Sequence, residues 1–139
     1  MIGIDTNVLI RFFVQDDPEQ ARVATDLIYG LSAERPGWIA TPVLVEIVWT
    51  LKRTYRMERA GIAAVLEQML ASRELVVEQH MLALQALEVF RSTRADFADC
   101  LIAASARQAG CERLVTFDRV AARDAGMEFL GTEPEAAVG

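Results

Sequence analysis

Apolar residues in this chain fall into two arrangements: short unbroken runs, and longer stretches in which they recur every third or fourth position. The short runs at 1–4, 38–40, 75–77, 113–116 and 127–130 read as buried strands bounded by turn-forming or charged residues. The longer stretches read as helices. Ile62, Val65, Leu66, Met69 and Leu70 share one face of a helix over 58–71, and Leu84, Leu87 and Phe90 share one over 80–91. Further helices are predicted at 7–14, carrying Val8, Leu9, Phe12 and Phe13, and at 41–53, 96–109 and 119–124.

Boundary residues sharpen this outline. Asp17-Pro18-Glu19 is a helix start, with a capping carboxylate, proline in the first turn and an acid beside the helix dipole; that helix runs to about Tyr29 and stops at Gly30. Pro36-Gly37 makes a loop, Thr41-Pro42 opens the next helix, and Gly110 closes the one over 96–109. Residues 132–139, with Pro134, read as a frayed tail behind a single domain over 1–131. No internal repeat or composition break marks a second domain. Strands alternating with helices imply a parallel sheet covered on both faces, with its ligand site beyond the carboxyl ends of the strands. Asp5 and Asp118 both fall there.

Composition narrows the function classes. With 139 residues, 53% of them hydrophobic, the chain can bury a real core. Its net charge of −6 and pI near 4.8 exclude a generally cationic nucleic-acid binder. A polyanionic substrate would need a local basic strip or a bound divalent metal. Two isolated cysteines and one histidine make neither a disulfide framework nor a zinc pattern, and they suit a reducing cytoplasm. No secretory leader and no membrane span are expected, because Asp5 interrupts the first apolar run and the others are short.

The acids are the informative residues. Asp5 follows the first strand, where it is readable as a helix cap with Thr6 and Asn7 as spare caps, or as a ligand. Glu46 is the one charge between Thr41 and Leu51, which argues against a solvated face and leaves an ion pair or a ligand role. Asp96 and Asp99 stand an i, i+3 step apart; a capping pair explains Asp96 but not the alanines at 103 and 106 that continue the Asp99 face. Asp118 caps the helix after it or joins the others. Four acids at strand ends and in apolar helices, without partner lysines in their own segments, suggest a neutralising cation, and oxygen donors alone favour Mg2+ or Mn2+.

Ile4-Asp5-Thr6-Asn7, Glu46 in its apolar helix, Asp96-Phe97-Ala98-Asp99-Cys100 and Val115-Thr116-Phe117-Asp118-Arg119 occur in this order along nearly the whole chain. The set resembles the PIN-domain family, and in particular its VapC-type toxin ribonucleases of bacterial toxin–antitoxin pairs. The resemblance implies a three-layer α/β/α domain with a parallel sheet in the order 3-2-1-4-5. It matches Asp5, Glu46, Asp99 and Asp118 to an acidic quartet holding Mg2+ or Mn2+, Asp96 to an extra acid, and Asn7 and Thr116 to polar positions that orient carboxylates and water. It further implies hydrolysis of RNA phosphodiester bonds by a metal-activated water, a homodimer, and silencing by a cognate antitoxin. Cys100 departs from the small apolar residue more usual after Asp99.

Other roles stay open. Glu46 and Asp99 are both placed to take the proton from the water. Lys52, Arg53, Arg56 and Arg59 cluster where the Glu46 helix ends, with Arg11 near the same rim; they are RNA-contact candidates or a solvated helix terminus. Phe12, Phe13, Val48 and Trp49 are candidates for protein contacts or for core. A haloacid-dehalogenase-type phosphatase would want an acid where Asn7 stands. A receiver domain would want its acceptor acid after a later strand. An RNA-processing PIN nuclease outside a toxin–antitoxin pair, and a PIN-like module that binds without cleaving, are the remaining alternatives.

Overall fold

All twelve predicted elements form, with ends shifted by no more than two residues or so. They are described by a computed structural model of residues 1–131, so the expected tail at 132–139 lies outside the described residues. In chain order they are β1 (Ile2–Gly3), α1 (Thr6–Val14), α2 (Pro18–Tyr29), β2 (Gly37–Ile39), α3 (Thr41–Arg53) and α4 (Arg59–Ala71). There follow β3 (Leu75–Val77), α5 (His80–Ser92), α6 (Phe97–Ala109), β4 (Val115–Thr116), α7 (Arg119–Asp124) and β5 (Glu128–Phe129).

The caps behave as their chemistry requires. Asp17 accepts a hydrogen bond from the Gln20 N–H at 3.0 Å, and Pro18 begins α2. Gly110 ends α6 at φ +83°, a left-handed conformation that an L side chain resists.

Every strand pair is parallel, as an alternating α/β chain demands. β2 lies between β1 and β3, and Gly37 sits where a Cβ would run into the Ile4 and Leu31 side chains, so glycine lets β2 seat against its neighbours. The expected single order 3-2-1-4-5 is not what the hydrogen bonds draw: β1-β2-β3 is one sheet and β4-β5 a second. Each half keeps the expected neighbours, but β1 and β4 are not paired. Both strands are two residues long, Gly3 offers no side chain to pack, and Ile2 and Val115 remain exposed.

The core is built by the helices. Leu44, Ile47 and Leu51 of α3, Ile62, Leu66 and Met69 of α4, and Phe97 and Cys100 of α6 are almost wholly buried, together with Leu9 and Ile39. Phe90 meets Phe97 edge to face at 5.9 Å, which joins α5 to the start of α6. Among the described residues no helix is long and apolar enough to cross a membrane.

Candidate functional site

Asp5 stands directly after β1 as the N-cap of α1, and its Oδ1 accepts from the Thr6 N–H at 2.7 Å. Capping is thus one of its roles. Thr6 in turn donates from its hydroxyl to Glu46 Oε1 at 2.5 Å, the short limit for a hydroxyl bonded to a carboxylate. This bond ties α1 to α3 and groups Asp5, Thr6 and Glu46 in one place. The sequence singled out Asn7 and Thr116 as orienting residues and missed Thr6, whose hydroxyl acts across 40 positions. Asn7 is exposed and lines a groove between α1 and α2 with Arg11 and Gln20.

Glu46 is exposed, which corrects the expectation that its apolar helix leaves no solvated face. α3 turns Leu44, Ile47, Val48 and Leu51 inward, and the opposite side carries Glu46 and Trp49.

The second group of acids lies at α6 and β4. Asp96 takes the N-cap position of α6, but its side chain makes no capping bond; its Oδ1 lies 3.5 Å from Lys52 Nζ in an exposed ion pair. The reciprocal capping pair with Asp99 is therefore not formed. Asp99 is half-buried in the first turn. Burial above all, and then the charges of Asp96 and Asp118, push its carboxyl above the ordinary value of 3.8. Asp118 caps α7, accepting from the N–H groups of Val120 and Ala121 at 2.8 and 3.0 Å. Its own N–H donates to Thr116 Oγ1 at 3.0 Å, so Thr116 steadies the turn that carries Asp118.

Cys100 is buried behind Asp99. Desolvation pushes its thiol up to about 11, against an opposing pull from the Arg59 charge, so it packs as a neutral small residue.

The basic residues divide. Arg11 is spent inside the fold: its Nε donates to Gln20 Oε1 at 2.7 Å, and it lies 3.3 Å from the Tyr55 hydroxyl and 3.6 Å from Asp16. Arg59 donates to the carbonyls of Phe90 and Ala95 at 2.5 and 2.9 Å and lies 3.9 Å over the Phe90 ring, pinning the turn that leads into α6. Lys52 pairs with Asp96, as described. Arg53 lies 5.5 Å over Trp49, and Arg56 is exposed in a left-handed conformation at φ +55°. Of the candidate contact surfaces, Val48 is buried, Phe13 packs on the core, Phe12 meets Phe13 and Tyr29 edge to face, and Trp49 is exposed.

The donors are right in kind for a hard divalent cation, since every candidate is a carboxylate, supported by threonine hydroxyls. They are not gathered: among the described residues no three His, Cys, Asp or Glu side chains stand closely enough to hold an ion. Asp5 follows β1 of one sheet, with Glu46 of α3 tied to it through Thr6; Asp118 follows β4 of the other sheet, and Asp99 stands on α6.

A family model described as PIN domain matches residues 2–126. The chain is also similar to a VapC ribonuclease of Aquifex aeolicus (strain VF5), with 26% identity over 117 residues that cover 84% of this chain and 86% of that protein.

Proposed function

Because the chain belongs to the PIN-domain family, we propose that it is a VapC-type endoribonuclease that uses Mg2+ or Mn2+ and serves as the toxin of a toxin–antitoxin pair in the cytoplasm. What supports this most is the PIN match over residues 2–126 together with the likeness to a VapC ribonuclease. The cation has electrostatic support at Asp99, whose charge is opposed by burial and by Asp96 and Asp118. Such repulsion gives the fold nothing, and a bound cation would relieve it. Asp5, Glu46, Asp99 and Asp118 would hold the ion, with Asp96 accessory. For these donors to share one ion, β1 and β4 would lie side by side, which completes the order 3-2-1-4-5.

When bound, the ion would polarise the scissile phosphate, lower the pKa of a water and steady the departing 3′-oxygen. The chain's own groups would do the rest. Thr6 occupies one oxygen of Glu46 and limits its rotation. Thr116 and the first N–H groups of α7 hold Asp118. The proton of the attacking water would pass to Glu46 or Asp99. No side chain need form a covalent intermediate.

Purified protein should cut single-stranded RNA internally with Mg2+ or Mn2+, stop in EDTA, and resume when Mn2+ is restored. Cleavage undiminished in EDTA would remove the metal from the mechanism. An intact fold that cleaves nothing under any of these conditions would leave a module that binds without cutting.

The toxin role also carries partners. Light scattering at micromolar concentration should give a homodimer, and a cognate antitoxin encoded beside this chain should bind it and suppress cleavage. A monomer that cuts RNA at full rate with that protein present would instead be an RNA-processing nuclease outside any pair.

A further inference from the structure

A groove of about 510 Å3 runs away from Asp96 between the C-terminal half of α3 and the start of α4. Its floor is mainly apolar, and its rim carries Trp49, Lys52, Arg53 and Arg59 together with the acids Glu58 and Asp96. Trp49 is 58% exposed on its wall, an uncommon position for the largest apolar side chain. On α3 the residues Glu46, Trp49 and Arg53 follow an i, i+3, i+7 pattern and share one face. The indole therefore lies one helical step from a proposed catalytic acid, about 4.5 Å along the helix axis. Arg53 sits over its ring, and the Lys52–Asp96 pair joins the groove to the acidic group.

We propose that this groove is a subsite for one unpaired RNA base beside the cleaved bond, stacked on Trp49, with Arg53 and Lys52 facing the adjoining phosphates. The inference rests on the nuclease reading above and adds to it how the substrate is gripped. A chain of net charge −6 has an overall field that repels a polyanion. Binding must then come from contacts that do not depend on that field. Stacking on an aromatic ring is such a contact, and cations beside the ring fit the backbone that accompanies the base. A base locked in a duplex has no free face for the indole, so the subsite selects single strands.

The test measures RNA binding in EDTA by fluorescence anisotropy, using a labelled single-stranded oligoribonucleotide and a duplex of the same length, with light scattering on each protein. Trp49→Ala is expected to weaken single-strand binding roughly five- to hundredfold, the range of one lost stacking contact, and to leave duplex binding where it was. Trp49→Phe, which keeps an aromatic face, should recover most of the loss. Single-strand affinity unchanged in Trp49→Ala overturns the subsite. So does a loss that accompanies dissociation of a parent dimer, since the indole would then serve an interface between copies. If the parent cleaves RNA while Trp49→Ala binds it at parental strength, the subsite alone fails; if the parent neither binds nor cleaves RNA, the nuclease reading fails and takes the subsite with it.

Discussion

Asp99→Asn is expected to abolish RNA cleavage and, without metal at neutral pH, to raise the melting temperature. The two effects have one cause. Asp99 is half-buried in the first turn of α6, and burial first, then Asp96 and Asp118, hold its carboxyl above its ordinary value of 3.8. An acid whose folded pKa is raised contributes stability that is fully present below the unfolded value and is lost as pH rises through the folded one. The stability lost therefore grows as pH rises past the ordinary carboxylate range toward neutrality. Asparagine keeps the shape and removes the charge. The N-terminus of α6 works in the opposite direction, since it favours an anion by about 0.3–1 kcal/mol, but one helix end is set against desolvation and two like charges.

Melting curves between pH 3 and pH 8 check the sign. The gap between variant and parent should open as pH rises above about 3.8 and vanish below it. Mg2+ should stabilise the parent by about 2.7 kcal/mol at a hundred times its dissociation constant, and the variant by far less. A metal-free variant that melts below the parent at pH 7 would make the Asp99 charge stabilising and remove the electrostatic support for a cation.

What could be read from residues alone follows the range of the forces involved. α7 runs over Arg119–Asp124 as expected, because the Asp118 cap and the turns around it are local. The Asp17-Pro18 start of α2 is local in the same sense. The acids were visible because an isolated charge in an apolar stretch is anomalous wherever the chain goes. Their partners were not. Glu46 meets Thr6 across 40 positions, and Arg59 reaches carbonyls 31 and 36 positions away. Nothing in the charge pattern separates Arg11, which is held among Gln20, Tyr55 and Asp16, from Arg53, which stays at the groove. Pairing of β1 with β4 is likewise a long-range matter. Two strands of two residues each carry too few side chains to specify it.

Asp5 separates capping from catalysis. Its Oδ1 accepts the Thr6 N–H at 2.7 Å, and an asparagine oxygen can accept the same bond, since Asn and Asp cap helices about equally well. Asp5→Asn should therefore keep α1 in place, and with it the Thr6 hydroxyl that holds Glu46. It should still lose cleavage by more than roughly a hundredfold, beyond what altering a residue that merely supports a metal ligand costs. Asp5→Ala removes the acceptor as well, and should lose about 0.5–2 kcal/mol of stability besides. Urea denaturation and a cleavage assay on both variants, run at the same metal concentration, give the two quantities independently. An asparagine variant that cleaves at the parental rate would make Asp5 a cap and nothing more. If asparagine destabilises as much as alanine, the negative charge itself supports the helix start, and the loss of cleavage could not then be assigned to a missing ligand.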